Sequence, residues 1–236
     1  AGPAVVVDLV VVGPAMDGKM IPNWAKNFLQ TEDLEKIESS ILLAEKNTLG
    51  EIIPMLVKSS TNIGHVQLSL SLLFFIVFIF FEHEFGYLFW DGDRYYLLMP
   101  LFLIIFYFLA GACSRFSFFQ KLLTTNADQI SDVQLRAEVE FYRGKYSQTK
   151  NRTAILLLIS LMEKRVVVLA DEAVAKKVPQ ETWQEVVHMI TEGIAKGKFS
   201  QGLELAIQKS GEILSKSIPL NGQKQNEIIN KFIIKN

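Results

Sequence analysis

Two stretches without a single Asp, Glu, Lys or Arg, one between Lys58 and Glu82 and one between Arg94 and Arg115, constrain this chain more than any other feature. They contain VQLSLSLLFFIVFIFF (Val66–Phe81) and YLLMPLFLIIFYFLAGAC (Tyr96–Cys113). At ~1.5 Å rise per residue, roughly twenty helical residues cross a hydrocarbon core of ~30 Å. A helix packed on a globular core keeps one polar face, and neither stretch has one. The sequence therefore predicts a transmembrane hairpin over residues 63–115, its helices spanning 63–81 and 95–114.

The connection Glu82–Arg94 is short, which makes the two helices antiparallel neighbours. It carries Glu82, Glu84, Asp91 and Asp93 against the lone Arg94, whereas Lys46, Lys58, Arg115 and Lys121 flank the hairpin on its other side. Basic residues near the ends of membrane helices mark the cytoplasmic side, so both termini are expected there, as in an integral protein of the bacterial inner (plasma) membrane. Tyr87, Trp90, Tyr95 and Tyr96 fit an aromatic belt at the outer interface. Asp91-Gly92-Asp93 supplies too few oxygens for calcium and reads as the turn closing the hairpin. No Asp, Glu, Lys or Arg lies inside either helix, which argues against a proton relay, pore or carrier. Pro100 and Gly111 read as kink or packing positions.

Half of the 236 residues are hydrophobic and the formal net charge is −1, which gives no electrostatic basis for binding nucleic acid. The single cysteine, Cys113, cannot form an internal disulfide. Residues 1–30 form an N-terminal extension whose apolar run is broken by Asp8 and lacks a basic leader, so it does not read as a signal peptide.

Helical spacing of Leu34, Ile37, Ile41 and Ala44 predicts a helix over Thr31–Asn47, capped by Thr31. Glu51–Lys58 (EIIPMLVK) is a strand that Pro54 confines to an edge or a bulge. Beyond the hairpin, Phe116–Leu123 continues the second helix along the interface, and Asp128–Gln148 is a helix with Ile130, Val133, Ala137 and Phe141 on one face. Thr153–Leu161 and Lys164–Ala170 form a β-hairpin around Met162-Glu163. Pro179 opens a helix carrying Trp183, Val186, Val187, Ile190 and Ile194, and Ser200 caps the last one, which Pro219 stops. Residues 220–236 read as a polar tail or short docking helix. Neither flank has enough elements to close a core alone. The predicted fold is therefore an α/β sandwich, a soluble domain made from residues 31–59 and 116–219 and interrupted by the transmembrane helical hairpin.

Two stretches together resemble the TPM domain, the family named for thylakoid-lumen, photosystem-repair and receptor-modulator proteins. AEKNTLGEIIPMLVKS (Ala44–Ser59) resembles its opening helix and strand. RTAILLLISLMEKRVVVLADEAVAKKVP (Arg152–Pro179), followed by W-x-x-V-V and GLELAIQKSGEILSKSIP, resembles its central hairpin and terminal helix. The similarity is to a branch of bacterial membrane proteins in which two membrane helices interrupt the domain. The chain departs from that branch at Ala173, where glycine often stands. The resemblance implies an α/β sandwich. It implies no single activity, because members are described as phosphatases, maintenance factors and receptor modulators.

His65, His83 and His188 fall on separate parts of this topology, which disfavours a histidine metal site. No glycine-rich phosphate loop, zincin helix or G-x-S-x-G elbow occurs. Strand order provides one constellation. If the strands beginning at Glu51 and Thr153 are parallel and the next returns, Glu51, Arg152, Asp171 and Glu172 gather at one sheet end. Two readings are open there. Glu51, Asp171 and Glu172 would bind a divalent cation such as calcium while Arg152 holds a phosphate. Alternatively, they form an ion pair between strand ends and a helix cap. The expected function is a non-catalytic interaction or membrane-protein maintenance module whose partners are the lipid bilayer and another membrane protein or a second copy. The alternative is a metal-assisted phosphatase at the membrane surface.

Overall fold

The computed structural model describes residues 21–60, 64–89, 99–114, 116, 125–220 and 226–236. The extension to Lys19, the Asp91–Asp93 turn, Trp90, Tyr95, Tyr96 and the interfacial segment after Phe116 lie outside the described residues. The described chain divides into two compact units, one formed by residues up to Ser59 and from Leu135 onward, the other by residues 60–134.

The first unit is a mixed α/β fold around one four-stranded sheet in the order β3-β2-β1-β4. β1 (Glu51–Val57) and β2 (Ala154–Ser160) run parallel, with Glu51 opposite Ala154 and Val57 opposite Ser160. Every residue of both strands is buried, as expected of parallel strands covered on both faces. β3 (Arg165–Ala170) returns antiparallel to β2 and takes the outer edge, its three consecutive valines suiting the pleated surface. Lys164, with φ at 52°, makes the left-handed step that brings the chain into β3.

The main core lies on one face of this sheet. Ile52 and Leu56 of β1, and Ile155, Leu157 and Ile159 of β2, are buried there. They share that core with Ile37 and Ile41 from α1 (Thr31–Glu45). The other face holds α4 (Asn126–Arg143), from Leu135 onward. Its Ala137 and Phe141 are buried, and Glu140 pairs with Lys235, whose neighbour Ile234 faces the main core.

Three helices follow the β-hairpin: the short α5 (Glu172–Ala175), α6 (Trp183–Ala195) and α7 (Phe199–Ser217). α6 and α7 meet at glycines. A Cβ on Gly202 would lie 2.7 Å from the Met189 carbonyl oxygen and 2.9 Å from the Gly193 Cα. Side chains at that crossing would force the helices apart.

Several local expectations need correction. The cap of α1 is Gln30 rather than Thr31, and the Asp33 carboxylate accepts from the Gln30 backbone N–H at 2.9 Å. The last helix begins at Phe199, so Ser200 lies inside it and donates to Glu204 Oε1 at 3.0 Å instead of capping. A short 3₁₀ turn, Gln180–Thr182, separates Pro179 from α6. The helix expected over Asp128–Gln148 starts at Asn126 and stops at Arg143.

The terminal stretch is the larger correction. It is neither a tail nor a helix, because Ile233–Lys235 forms β4, parallel to β1. This explains Pro54. Amides of alternate β1 residues face away from β2, and β4 takes them up only from Met55 onward. Ile52 N–H donates instead to Glu45 Oε1 at 2.7 Å, and Pro54, next on that side, has no N–H to satisfy.

The second unit is a helical hairpin of α2 (Gly64–Phe89) and α3 (Met99–Cys113). Phe74 packs on Phe106 with ring centroids 6.4 Å apart, and Phe78 on Phe102 at 4.5 Å, which makes the pair antiparallel. A Cβ on Gly111 would meet Gln67 Nε2 at 2.8 Å, so the end of that side chain would have to move aside. Among the described residues no helix is long and apolar enough to cross a membrane. The 15 residues of α3 extend only ~22 Å, and the last turns of α2 carry Glu82 and Glu84.

Candidate functional site

The parallel β1–β2 pair starts at the sheet end where β3 finishes. This brings together Glu51, Arg152, Asp171 and Glu172, four residues from three separate stretches of the sequence. Glu51 is opposite Ala154 on one side, and Asp171 N–H donates to the Ala154 carbonyl at 2.8 Å on the other. The core-facing residues on these strands are Ile52, Ile155 and Ala170, so Glu51, Ala154 and Asp171 share the opposite face. Two buried carboxylates thus flank the methyl group of Ala154, their backbones two strand spacings apart, roughly 9–10 Å.

The surrounding backbone is closely tied. Glu51 N–H donates to the Thr153 carbonyl at 3.3 Å, and Thr153 Oγ1 donates to the Leu49 carbonyl at 2.8 Å. Arg152 has φ at 51°, a left-handed conformation uncommon for a residue with a side chain, and its carbonyl accepts from Ala173 N–H at 3.1 Å.

Asp171 caps α5 through Oδ1, which accepts from Glu172 N–H at 2.7 Å. Its Oδ2 is buried with no hydrogen-bond partner among the described residues. Leaving an oxygen of a carboxylate in that state costs free energy unless a proton, donor or cation reaches it.

Glu172 differs. Its side chain is 56% exposed, within 2.7 Å of Lys176 Nζ and 3.6 Å of Arg152 Nη1. The hydrogen bond and charge of Lys176, with Arg152 adding a smaller attraction, hold its carboxyl below the usual range. Arg152 is therefore engaged with a neighbour at this edge.

Among the described residues no group of three or more His, Cys, Asp or Glu side chains is arranged to hold a metal ion. His188 is 75% exposed and lies 3.9 Å from Glu192 Oε2. A separate cleft of about 260 Å³ opens between residues 26–30 and the start of α7.

Sequence reasoning missed two contributors. Ala154 supplies the gap between the carboxylates, and only strand register reveals it. Glu45, buried beyond the other side of Glu51 in sequence, uses Oε1 for Ile52 N–H and Oε2 to accept from Asn230 Nδ2 at 2.8 Å. Nothing in the sequence around Glu45 signals a buried role, apart from its place on the apolar side of α1.

The class of protein follows from this geometry: a mixed α/β domain with helices on both faces of a short sheet and an acidic pair at one sheet end. Residues 121–213 match the family model of the TPM domain. The BA42 protein of the psychrophilic bacterium Bizionia argentinensis, solved by NMR, has the same fold with a TM-score of 0.54 and 21% identity. The match covers 88% of this chain and 96% of that one. No curated protein sequence matches the chain.

Proposed function

We propose that this chain is a membrane-anchored TPM-like module that acts by docking another protein rather than by catalysis. The observation that carries the reading is the surface of the α2–α3 hairpin. Leu68, Leu72, Ile76, Val77 and Phe80 of α2 are all exposed, as are Leu101, Leu103, Ile104, Phe108 and Leu109 of α3. Large apolar side chains therefore point outward from both helices while Phe74, Phe78, Phe102 and Phe106 pack between them. An apolar surface of that extent marks a membrane or partner site. The uncharged runs continue beyond the described helices in sequence, to Ser59 at one end and Tyr95 at the other. In this reading the hairpin sits in the bacterial inner membrane, and the α/β unit, assembled from both flanks, faces the cytoplasm. Membrane fractionation tests the anchoring. The chain should stay in the pellet after alkaline carbonate washing, whereas release into the supernatant would end the reading.

The orphaned Oδ2 of Asp171 favours a second reading, a metal-assisted phosphatase at the Glu51–Asp171 edge. Glu51 and Asp171 would hold a divalent cation there, and the cation would polarise a phosphoryl oxygen. Two carboxylates fall short of the six or more oxygens calcium takes, so substrate and water would have to complete the set. Hydrolysis of a generic phosphate ester by the purified chain, lost in Asp171→Asn, supports this reading. No turnover across a broad metal and pH screen rejects it.

A further inference from the structure

The outer edge of the sheet has a pattern that selects one partner. Asp171 N–H donates to the Ala154 carbonyl, which fixes those residues as a hydrogen-bonded pair of the antiparallel β2–β3 ladder. Alternation then turns the backbone groups of Arg165, Val167 and Leu169 toward β2 and those of Val166, Val168 and Ala170 outward. β3 is the edge strand, and none of the described residues bonds to these outward groups. β3 holds no proline or bulge, the usual means of keeping strands apart, and its one charge, Arg165, stands at its first position.

From the turn before β3 to the start of α5 the sequence is Lys164-Arg165-Val166-Val167-Val168-Leu169-Ala170-Asp171-Glu172, two cations, five apolar residues and two anions. Reversed, it complements itself. We propose that the chain pairs with a second copy along β3, antiparallel, about a two-fold axis at Val168. That register sets Arg165 opposite Asp171 and Val167 opposite Leu169, and brings Lys164, in the turn before β3, toward Glu172, the first residue of the second copy's α5. Val166, Val168 and Ala170 fall at hydrogen-bonded positions, giving roughly six backbone hydrogen bonds, two from each facing pair. Shifting by two residues sets Asp171 opposite Val167, and parallel in-register pairing stacks like charges on one another. Only the axis at Val168 satisfies both charge and hydrogen bonding.

Arg165 and Asp171 strengthen the choice. Arg165 Nε and Asp171 Oδ2 are each buried without a hydrogen-bond partner among the described residues. The two-fold brings these residues together at a non-hydrogen-bonded pair, where side chains on adjacent strands come closest. The joined edges make one eight-stranded sheet and close on themselves, because each copy uses its single β3 edge.

This assignment names a partner and a surface for the docking module proposed above and rests on that reading of the chain's work as protein contact. The test is sedimentation of the full chain in mild detergent, combined with amide hydrogen exchange over residues 164–172. Dimers are expected, with added protection at Val166, Val168 and Ala170 that disappears on dilution. Lys164→Glu should weaken the dimer about tenfold, since attraction at both symmetric ends becomes repulsion. Adding Glu172→Lys to that variant should restore it, which a folding defect could not do. Circular dichroism matching the parent confirms that the variants fold. A monomer at every concentration, a dimer whose three outward amides stay unprotected, or a charge swap that restores nothing overturns the proposal. A monomeric chain that still co-purifies with one defined different protein overturns self-pairing and leaves the docking reading standing. A monomeric chain with no companion ends both.

Discussion

Glu51 and Asp171, 120 positions apart in sequence, stand on the same face of the sheet on either side of Ala154. The small residue between them is what gives the two carboxylates room. Ala154 is fully buried, so a larger side chain there must displace its neighbours. Ala154→Leu should destabilise the fold by about 1–3 kcal/mol through overpacking. Denaturant unfolding measures this, and an unchanged midpoint would show open space between the carboxylates.

Asp171 has one oxygen capping α5 and one with no partner among the described residues, which separates two substitutions. Asp171→Asn keeps the capping oxygen and removes the charge. Asp171→Ala removes the cap as well, a loss of about 0.5–2 kcal/mol. The alanine variant should therefore unfold at lower denaturant concentration than the asparagine variant. Equal midpoints would mean that the cap contributes nothing.

Glu45 does the work of a strand partner before β4 arrives. Removing it in Glu45→Ala leaves the Ile52 N–H buried without an acceptor and releases Asn230, so about 1–3 kcal/mol should be lost. Glu45→Gln retains an acceptor oxygen for Ile52 and should cost less. Hydrogen exchange should show the Ile52 amide opening in the alanine variant alone.

The acid side of the stability curve has a definite sign. Lys176 lowers the carboxyl of Glu172 and Lys196 lowers that of Glu192. A group whose folded pKa is depressed stabilises the fold above its unfolded value and loses that contribution as pH falls through the folded one. Thermal midpoints should thus decline below about pH 4.3, the ordinary glutamate range. Both side chains are roughly half exposed, so solvent screening keeps the effect small. Lys176→Ala combined with Lys196→Ala should flatten the decline, and an unaltered slope would assign it to other carboxylates.

Much of the sheet was legible because its strands announce themselves. AILLLI, closed by Ser160, is apolar without interruption, as a strand covered on both faces must be, and Val166–Val168 follow a tight turn. The convergence of Glu51, Arg152, Asp171 and Glu172 follows from strand direction alone, since a returning strand ends where its parallel neighbours start. β4 was not legible. Three residues, Ile233, Ile234 and Lys235, are too few for a period, and what holds them is tertiary. Asn236 accepts from Arg136 Nη2 at 3.0 Å and from Trp24 Nε1 at 2.7 Å, both distant in sequence. The caps misread at Thr31 and Ser200 fail for a related reason. Each residue type suits a cap, but neighbouring packing sets the helix start one or two positions earlier.

In the proposed reading a membrane hairpin interrupts an α/β unit whose two portions reunite on one side. Thiol labelling in intact cells addresses it directly, in a Cys113→Ser background with single cysteines at Lys46, Asp93 or Lys150. Lys46 and Lys150 are both exposed in the α/β unit, so their accessibility reports the side of the membrane. An impermeant reagent outside the inner membrane should label Asp93→Cys and leave Lys46→Cys and Lys150→Cys unmodified until the membrane is opened. Labelling of Lys46→Cys and Lys150→Cys from opposite sides would contradict that reading.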